Sequence, residues 1–213
     1  GSFVDLESFL DAPFQSSDSI YYVNKKGESE KIANSVVYSQ IDCEGEYIYY
    51  VDEDGRLMKI KSSKSSSGKE KELADDVITM FVSADGKFVY YVEGSITDES
   101  FDLYCMKNGG KAKLVAEDVS DFVMSSEDVA YFLADEDDNG NATLYYCTNG
   151  KKAKKIADDV SDLEGEVGTY CYAIGDDYEY DLYASDGGKK FKSITSIDNK
   201  SSEESAEELW DEF

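Results

Sequence analysis

The sequence has no histidine, one proline (Pro13) and no long apolar run. Without histidine it lacks the usual neutral-pH general base and the commonest transition-metal ligand. Ser-His-Asp and Cys-His arrangements are excluded with it. No Gly-x-Ser-x-Gly elbow and no phosphate loop is present. With a single proline, turns fall to Gly, Asn and Asp. No apolar stretch nears the roughly 20 residues of a membrane span. The residues after Gly1-Ser2 do not form a signal peptide, so a signal or anchor would lie outside this segment. Basic residues are scarce: 21 Lys and Arg face 47 Asp and Glu, a formal net charge of −26. Such a surface repels nucleic-acid backbones and anionic membranes, so neither nucleic acid nor direct membrane insertion is expected. The cysteines, Cys43, Cys105, Cys147 and Cys171, match no zinc or redox spacing. They read as small strand-buried hydrophobes, with a disulfide as the open alternative.

What is present points to an all-β repeat. A hydrophobic fraction of 41% with 17 tyrosines can build a real core. Four segments align: Lys31-Ile32-Ala33-Asn34, Glu72-Leu73-Ala74-Asp75-Asp76-Val77, Leu114-Val115-Ala116-Glu117-Asp118-Val119 and Lys155-Ile156-Ala157-Asp158-Asp159-Val160. Their alanines lie 41, 42 and 41 residues apart. That period matches a four-stranded propeller blade. Each period holds four short strand-like runs, such as Val77–Ser83, Lys87–Val92, Asp102–Met106 and Ala112–Val115. In the next period they are Val119–Met124, Val129–Ala134, Thr143–Cys147 and Lys154–Ala157. Asp85-Gly86 and Asn149-Gly150 are hairpin turns. Runs such as Phe88-Val89-Tyr90-Tyr91-Val92 are apolar at nearly every position, as expected of a strand covered on both faces.

The expected fold class is therefore a β-propeller-type array of four-stranded antiparallel blades, four full and one partial. An N-terminal segment 1–18 precedes a partial blade 19–35, an outer hairpin. Blades then span 36–76, 77–118, 119–159 and 160–195, with Lys190–Ile194 as the last strand of the fourth. Residues 196–213 form an acidic tail or short helix, and Thr195–Asp198 is a candidate extra strand. The array is open or an excerpt of a larger propeller. Phe3–Leu10 and Ser205–Phe213 are candidate capping helices, and self-association through open blade edges is the alternative.

The repeat resembles the WD40-like propeller repeat of the TolB type. It resembles still more the Tyr-rich propeller domains of Gram-positive, clostridia-like cell-surface and secreted proteins. The residues that carry this are Ser83-Ala84-Asp85-Gly86-Lys87-Phe88-Val89-Tyr90-Tyr91, then Asp102-Leu103-Tyr104, Gly109-Gly110 and Leu114. Asp181-Leu182-Tyr183 and Gly187-Gly188 repeat the second half. The proline common before Asp-Gly is absent, and Glu127-Asp128 replaces Asp-Gly in the third repeat. The resemblance implies an extracellular or cell-envelope module that binds a protein, a peptide or a cell-wall polymer without catalysis. A structural spacer in a larger envelope protein, or a carbohydrate-active hydrolase using paired carboxylates, stays open.

Candidate channel-lining ligand contacts are Gln40, Asp42, Met80, Asp121 and Asp162, at inner-strand ends. Tyr38, Tyr178 and Tyr180 are candidate stacking residues for a sugar or peptide. Asp135, Asp137, Asn139 and Asn141 alternate like the front half of a calcium loop, with Gly140 at the sharp turn, so calcium is the one cofactor considered. The glutamate expected at the twelfth position is missing, and a solvated hairpin tip is the competing reading. Ser62–Gly68 reads as a floppy surface hairpin.

Overall fold

Short runs rich in Val, Ile, Tyr and Phe, cut by Asp, Asn and Gly that tolerate positive φ, favour antiparallel strands joined by tight turns. The computed structural model describes residues 18–198, apart from 43–44, 64–68, 84, 96, 98–99, 126–127, 167–168 and 177–178. Both candidate capping helices, the tail beyond residue 198, Cys43 and most of the Ser62–Gly68 hairpin lie outside the described residues.

The strands are β1 (Asp18–Val23), β2 (Ser29–Ile41), β3 (Tyr47–Asp52), β4 (Leu57–Lys61) and β5 (Lys71–Ala74). They continue with β6 (Val77–Val82), β7 (Phe88–Glu93), β8 (Phe101–Lys107), β9 (Ala112–Met124) and β10 (Val129–Ala134). The last are β11 (Ala142–Thr148), β12 (Lys154–Glu166), β13 (Thr169–Asp176), β14 (Glu179–Ser185) and β15 (Lys192–Asp198). Each strand pairs with its chain neighbour within two all-antiparallel sheets, β1–β5 and β6–β15.

Two sequence expectations change. Ala112–Val115 and Val119–Met124 are one strand, β9, and Lys154–Ala157 and Val160–Leu163 merge into β12. The first half of β9 pairs with β8 (Leu103↔Ala116) and the second half with β10 (Phe132↔Phe122). Between the halves Asp118 adopts φ 51°, and Ser35, Asp76 and Asp159 do the same two residues after their repeat alanines. Short polar side chains are the non-glycine residues that enter this left-handed region most readily. The recurring Asp is thus a kink that hands the chain from one strand pairing to the next. In the fourth repeat, Lys190–Ile194 and Thr195–Asp198 are not two strands but one, β15. Its Thr195 pairs with Leu182 as Ala157 pairs with Leu144.

The second strand of each period splits its side chains between two apolar layers. Val89 and Tyr91 pack with Tyr49, Val51 and Met80, whereas Tyr90 and Val92 pack with Phe122, Ala130 and Phe132. A strand covered on both faces buries nearly every residue, and all six residues of β10 are buried. Aromatic pairs reinforce the layers: Tyr91 stacks on Tyr104 at 5.3 Å and Phe122 meets Phe81 edge-on at 5.2 Å.

Adjacent repeats are also latched by hydrogen bonds. The Tyr90 hydroxyl accepts the Gly150 N–H (2.9 Å), and one repeat later the Tyr131 hydroxyl donates to the Gly188 carbonyl. Both tyrosines reach from a second strand to the turn before the fourth strand of the next repeat. Gly150 sits there because its φ is 60° and a Cβ would lie 2.9 Å from Cys105 Sγ. In register, Gln40↔Tyr49, Phe81↔Tyr90 and Val123↔Tyr131 correspond, but the fourth repeat has Glu164↔Cys171. A shorter first turn slides that strand by one residue, and a one-residue slip exchanges faces. The last repeat therefore presents Cys171 where its predecessors present the latch tyrosine.

Candidate functional site

The first strands of neighbouring periods touch, β2 against β6 and β9 against β12. Five residues after each repeat alanine they carry Tyr38, Thr79, Asp121 and Asp162, paired with Val51, Val92, Leu133 and Ala173. The sequence candidates Tyr38, Asp121 and Asp162 thus occupy one equivalent position. Thr79 completes the set and was missed. Counting from the repeat alanines, position by position, would have found it.

Along this line, hydrogen-bonding capacity is left open. Tyr38 OH and Thr79 Oγ1, at this position, and Ser120 Oγ, one residue before Asp121 and so on the other face of its strand, are buried atoms with no hydrogen-bond partner among the described residues. Thr79 is fully buried, and burial pushes the Tyr38 phenol up. A buried hydroxyl without a partner costs roughly 1–3 kcal/mol, so each of these groups calls for a partner such as a water, an ion or a ligand. Asp121 is half-buried and accepts the Phe122 N–H through Oδ1 (2.6 Å), while Asp162 is exposed.

The other candidates have structural work. Gln40 Oε1 accepts the Val82 N–H (2.6 Å), tying β2 to β6. Asp42 caps its turn by accepting the N–H groups of Glu46 (2.8 Å) and Tyr47 (3.2 Å). Ser83 and Ser125 do the same for Phe88 and Val129. Met80 is a correction: at 0% exposure it fills the apolar layer between two periods and lines no channel. Tyr180 lies in β14 opposite Gly175 and Ile197, away from the first strands, and Tyr178 is outside the described residues.

The acidic loop before β11 resolves into a hairpin turn. Asp137 Oδ1 accepts the N–H groups of Asn139 (2.9 Å) and Asn141 (3.0 Å), and Gly140 takes φ 82°. Asp135 instead accepts the Tyr145 hydroxyl (2.7 Å). The same turn recurs at Asp52–Arg56 and at Asn24–Glu28, where a neutral Asn24 receives the Lys26 and Glu28 N–H groups. The Asp-x-Asn-Gly-Asn pattern is therefore accounted for by backbone capping. Among the described residues no three His, Cys, Asp or Glu side chains converge into a cation cluster.

Carboxylates are nonetheless concentrated at one end of the strands. The turns after the second strands bond to the kinks: Glu53 N–H to Ser35 O (2.9 Å) and Gly94 N–H to Asp76 O (3.0 Å). Glu93 sits there, its carboxyl held above the usual range by burial and by Asp102, Asp76 and Asp75. Cys105, Cys147 and Cys171 are free thiols, and burial pushes all three up, away from reactive thiolate. No helix among the described residues is long and apolar enough to cross a membrane.

No family model matches the chain, and no curated protein is similar to it. Solved structures are similar in shape. An acylaminoacyl peptidase from Pyrococcus horikoshii aligns with a TM-score of 0.55 and 13% identity over 89% of this chain and 36% of its own. The tricorn protease aligns at 0.52 and 10% identity, over 84% of this chain and 26% of its own. An oligogalacturonate lyase from Vibrio parahaemolyticus aligns at 0.50 and 10% identity, over 83% and 58%. The chain spans between 26% and 58% of the length of these structures. At such identities the likeness is one of fold alone, to propeller and peptidase-domain architectures in general.

Proposed function

We infer that this chain is a non-catalytic binding module, a propeller-type array whose four-strand periods are blades, of the TolB-like, Tyr-rich kind. Its setting is the bacterial cell envelope or exterior, and its partner is a protein, a peptide or a cell-wall polymer. The observation that carries the reading is the pair of partnerless hydroxyls at one equivalent position of adjoining first strands, Tyr38 and Thr79. Those strands are the innermost of a propeller blade, next to the channel where ligands are met. The fold likeness to propeller architectures supports the same assignment.

Tyr38→Phe tests it, because the ring is only half-buried and phenylalanine keeps its shape while deleting the hydroxyl. The immobilised module would first be exposed to envelope extract and solubilised cell-wall fractions, with calcium or with chelator, and any retained partner purified. The variant is expected to be more stable than wild type by about 1 kcal/mol, having lost an unsatisfied buried group. It should bind the purified partner at least tenfold more weakly. Unchanged affinity would remove the inner strands as the binding line. No partner at any salt concentration would favour the spacer reading, and cleavage of a wall polymer would replace the non-catalytic one.

A further inference from the structure

The positive charge of this acidic protein is not scattered. The acid-free segments 103–116, 144–157 and 187–197 carry three, four and three lysines. They hold nearly half of the chain's 21 basic residues and none of its 47 acidic ones. Each segment covers the hairpin between the third and fourth strands of a repeat: β8–β9, β11–β12 and β14–β15. All ten lysines are exposed. Lys155 is paired with Asp158 at 2.8 Å, and the others form no ion pair among the described residues.

Each hairpin turn is anchored on the preceding repeat. The turn of the first hairpin is held by Lys71 Nζ, from the preceding repeat's hairpin, donating to the Gly109 carbonyl (3.0 Å). The turn of the second reaches the first through Gly150 against Cys105. The turn of the third is held by the third repeat, as Ser125 Oγ donates to the Gly187 carbonyl (2.9 Å). Each hairpin is antiparallel, so its turn lies at the opposite end from the kinks and their carboxylates, although the first turns of the repeats, with Asp42, Glu46, Asp85 and Asp128, and Asp186 beside the third segment share the lysine end. A seven-residue strand such as β8 or β11 separates those ends by roughly 23 Å. The Debye length at physiological salt is about 8 Å, so an anion at the turns is screened from most of the acidic end.

We propose that this lysine rim is a docking surface for a linear acidic polysaccharide, one bearing carboxylates on its sugar rings. The proposal rests on the non-catalytic binding reading but uses a different surface from the inner-strand line. Three features select the partner. Lysine ammoniums are mobile point charges, suited to a flexible chain of anions, whereas rigid bidentate recognition of phosphate favours arginine, which these hairpins lack. Apolar side chains interleave with the lysines on the same strands: Leu114 in β9 and Ile194 in β15 are about half exposed (46% and 56%). They offer surface to the C–H faces of sugar rings. The one aromatic ring in the three turns, Phe191, packs against Tyr131 and Tyr172, so the turns themselves offer nucleobases no free aromatic face.

The test is a titration of the whole chain against polygalacturonate, its neutral methyl ester and a polyphosphate of matched charge. Saturable binding of polygalacturonate at physiological salt is expected, lost at 0.5 M salt and absent for the ester. Replacing Lys151, Lys152, Lys154 and Lys155 by glutamine should weaken it at least tenfold. If that variant fails to fold, Lys107, Lys111 and Lys113 replaced together should do the same. Lys25→Gln with Lys26→Gln, in a hairpin that also holds Glu28 and Glu30, should leave binding unchanged. No binding of polygalacturonate, equal binding after the lysine replacements, or equal binding of polyphosphate would each overturn the proposal. Reducing ends measured in the same samples separate the two readings: cleavage would refute the non-catalytic function and leave the docking surface standing.

Discussion

Tyr90→Phe isolates the latch between the second and third repeats. The ring is fully buried and the substitution keeps its shape. Only the hydroxyl is lost, and it accepts the Gly150 N–H at 2.9 Å and lies 3.7 Å from Cys147 Sγ. An ordinary hydrogen bond is worth about 1 kcal/mol net, but a stranded buried donor costs roughly 1–3 kcal/mol. Gly150 cannot turn its N–H elsewhere, because the turn is fixed by its positive φ and by the Lys151 N–H to Thr148 O bond (3.1 Å). The expected loss is thus about 1–3 kcal/mol, or roughly 2 to 12 °C in Tm for a chain of this size. Differential scanning calorimetry measures it, and amide exchange at Gly150 localises it, since repeat arrays couple mainly to nearest neighbours. Tyr91→Phe is the control. Its ring stacks on Tyr104, its hydroxyl makes no hydrogen bond among the described residues, and the change should stay within about 0.5 kcal/mol. If Tyr90→Phe melts within 1 °C of wild type and exchange at Gly150 is unaltered, the latch contributes nothing and the reasoning fails.

Two further outcomes are expected. Glu93→Gln should raise Tm at pH 7, because burial and Asp102, Asp76 and Asp75 disfavour the folded carboxylate. A raised folded pKa gives stability that is complete below the unfolded value, about pH 4, and is lost as pH rises through the folded one. The advantage of the variant should therefore vanish near pH 3, and melting curves across pH would show the opposite trend if the carboxylates did not crowd. Asp137→Asn should change stability by less than about 0.5 kcal/mol, since Asn24 makes the equivalent turn, whereas Asp137→Ala removes the cap and should cost about 1 kcal/mol. An Asn variant as damaged as the Ala variant would mean that the charge itself is needed there.

The repeat alanines, the spacing of apolar runs and the Gly and Asp punctuation were enough to read an all-β chain of four-strand periods. Strand identity depends on local patterning, which a sequence displays directly. The doubly buried second strands were legible for the same reason, since a run such as Phe88–Val92 suits only a position covered on both faces. Three things were not legible. Asp118 and Asp159 look like solvated charge, yet their left-handed φ lets one strand serve two partners. The calcium-like loop looks like a ligand set, yet its Asp137 is spent on the backbone of its own turn. Met80 looks like a strand-end contact, yet it lies inside a packed layer.

The sequence by itself determined the elements and their order, because backbone preference and side-chain periodicity act over a few residues. Only the tertiary structure decided which residues became neighbours across about 40 to 60 positions: the latch tyrosines and their turns, the partnerless hydroxyls on adjoining strands, and the lysine hairpins set at the far end from the kinks. Those relations depend on how successive repeats stack. A one-residue slip such as that in the fourth repeat exchanges the faces of a strand, and changes which side chains meet while leaving the local pattern of the sequence almost the same.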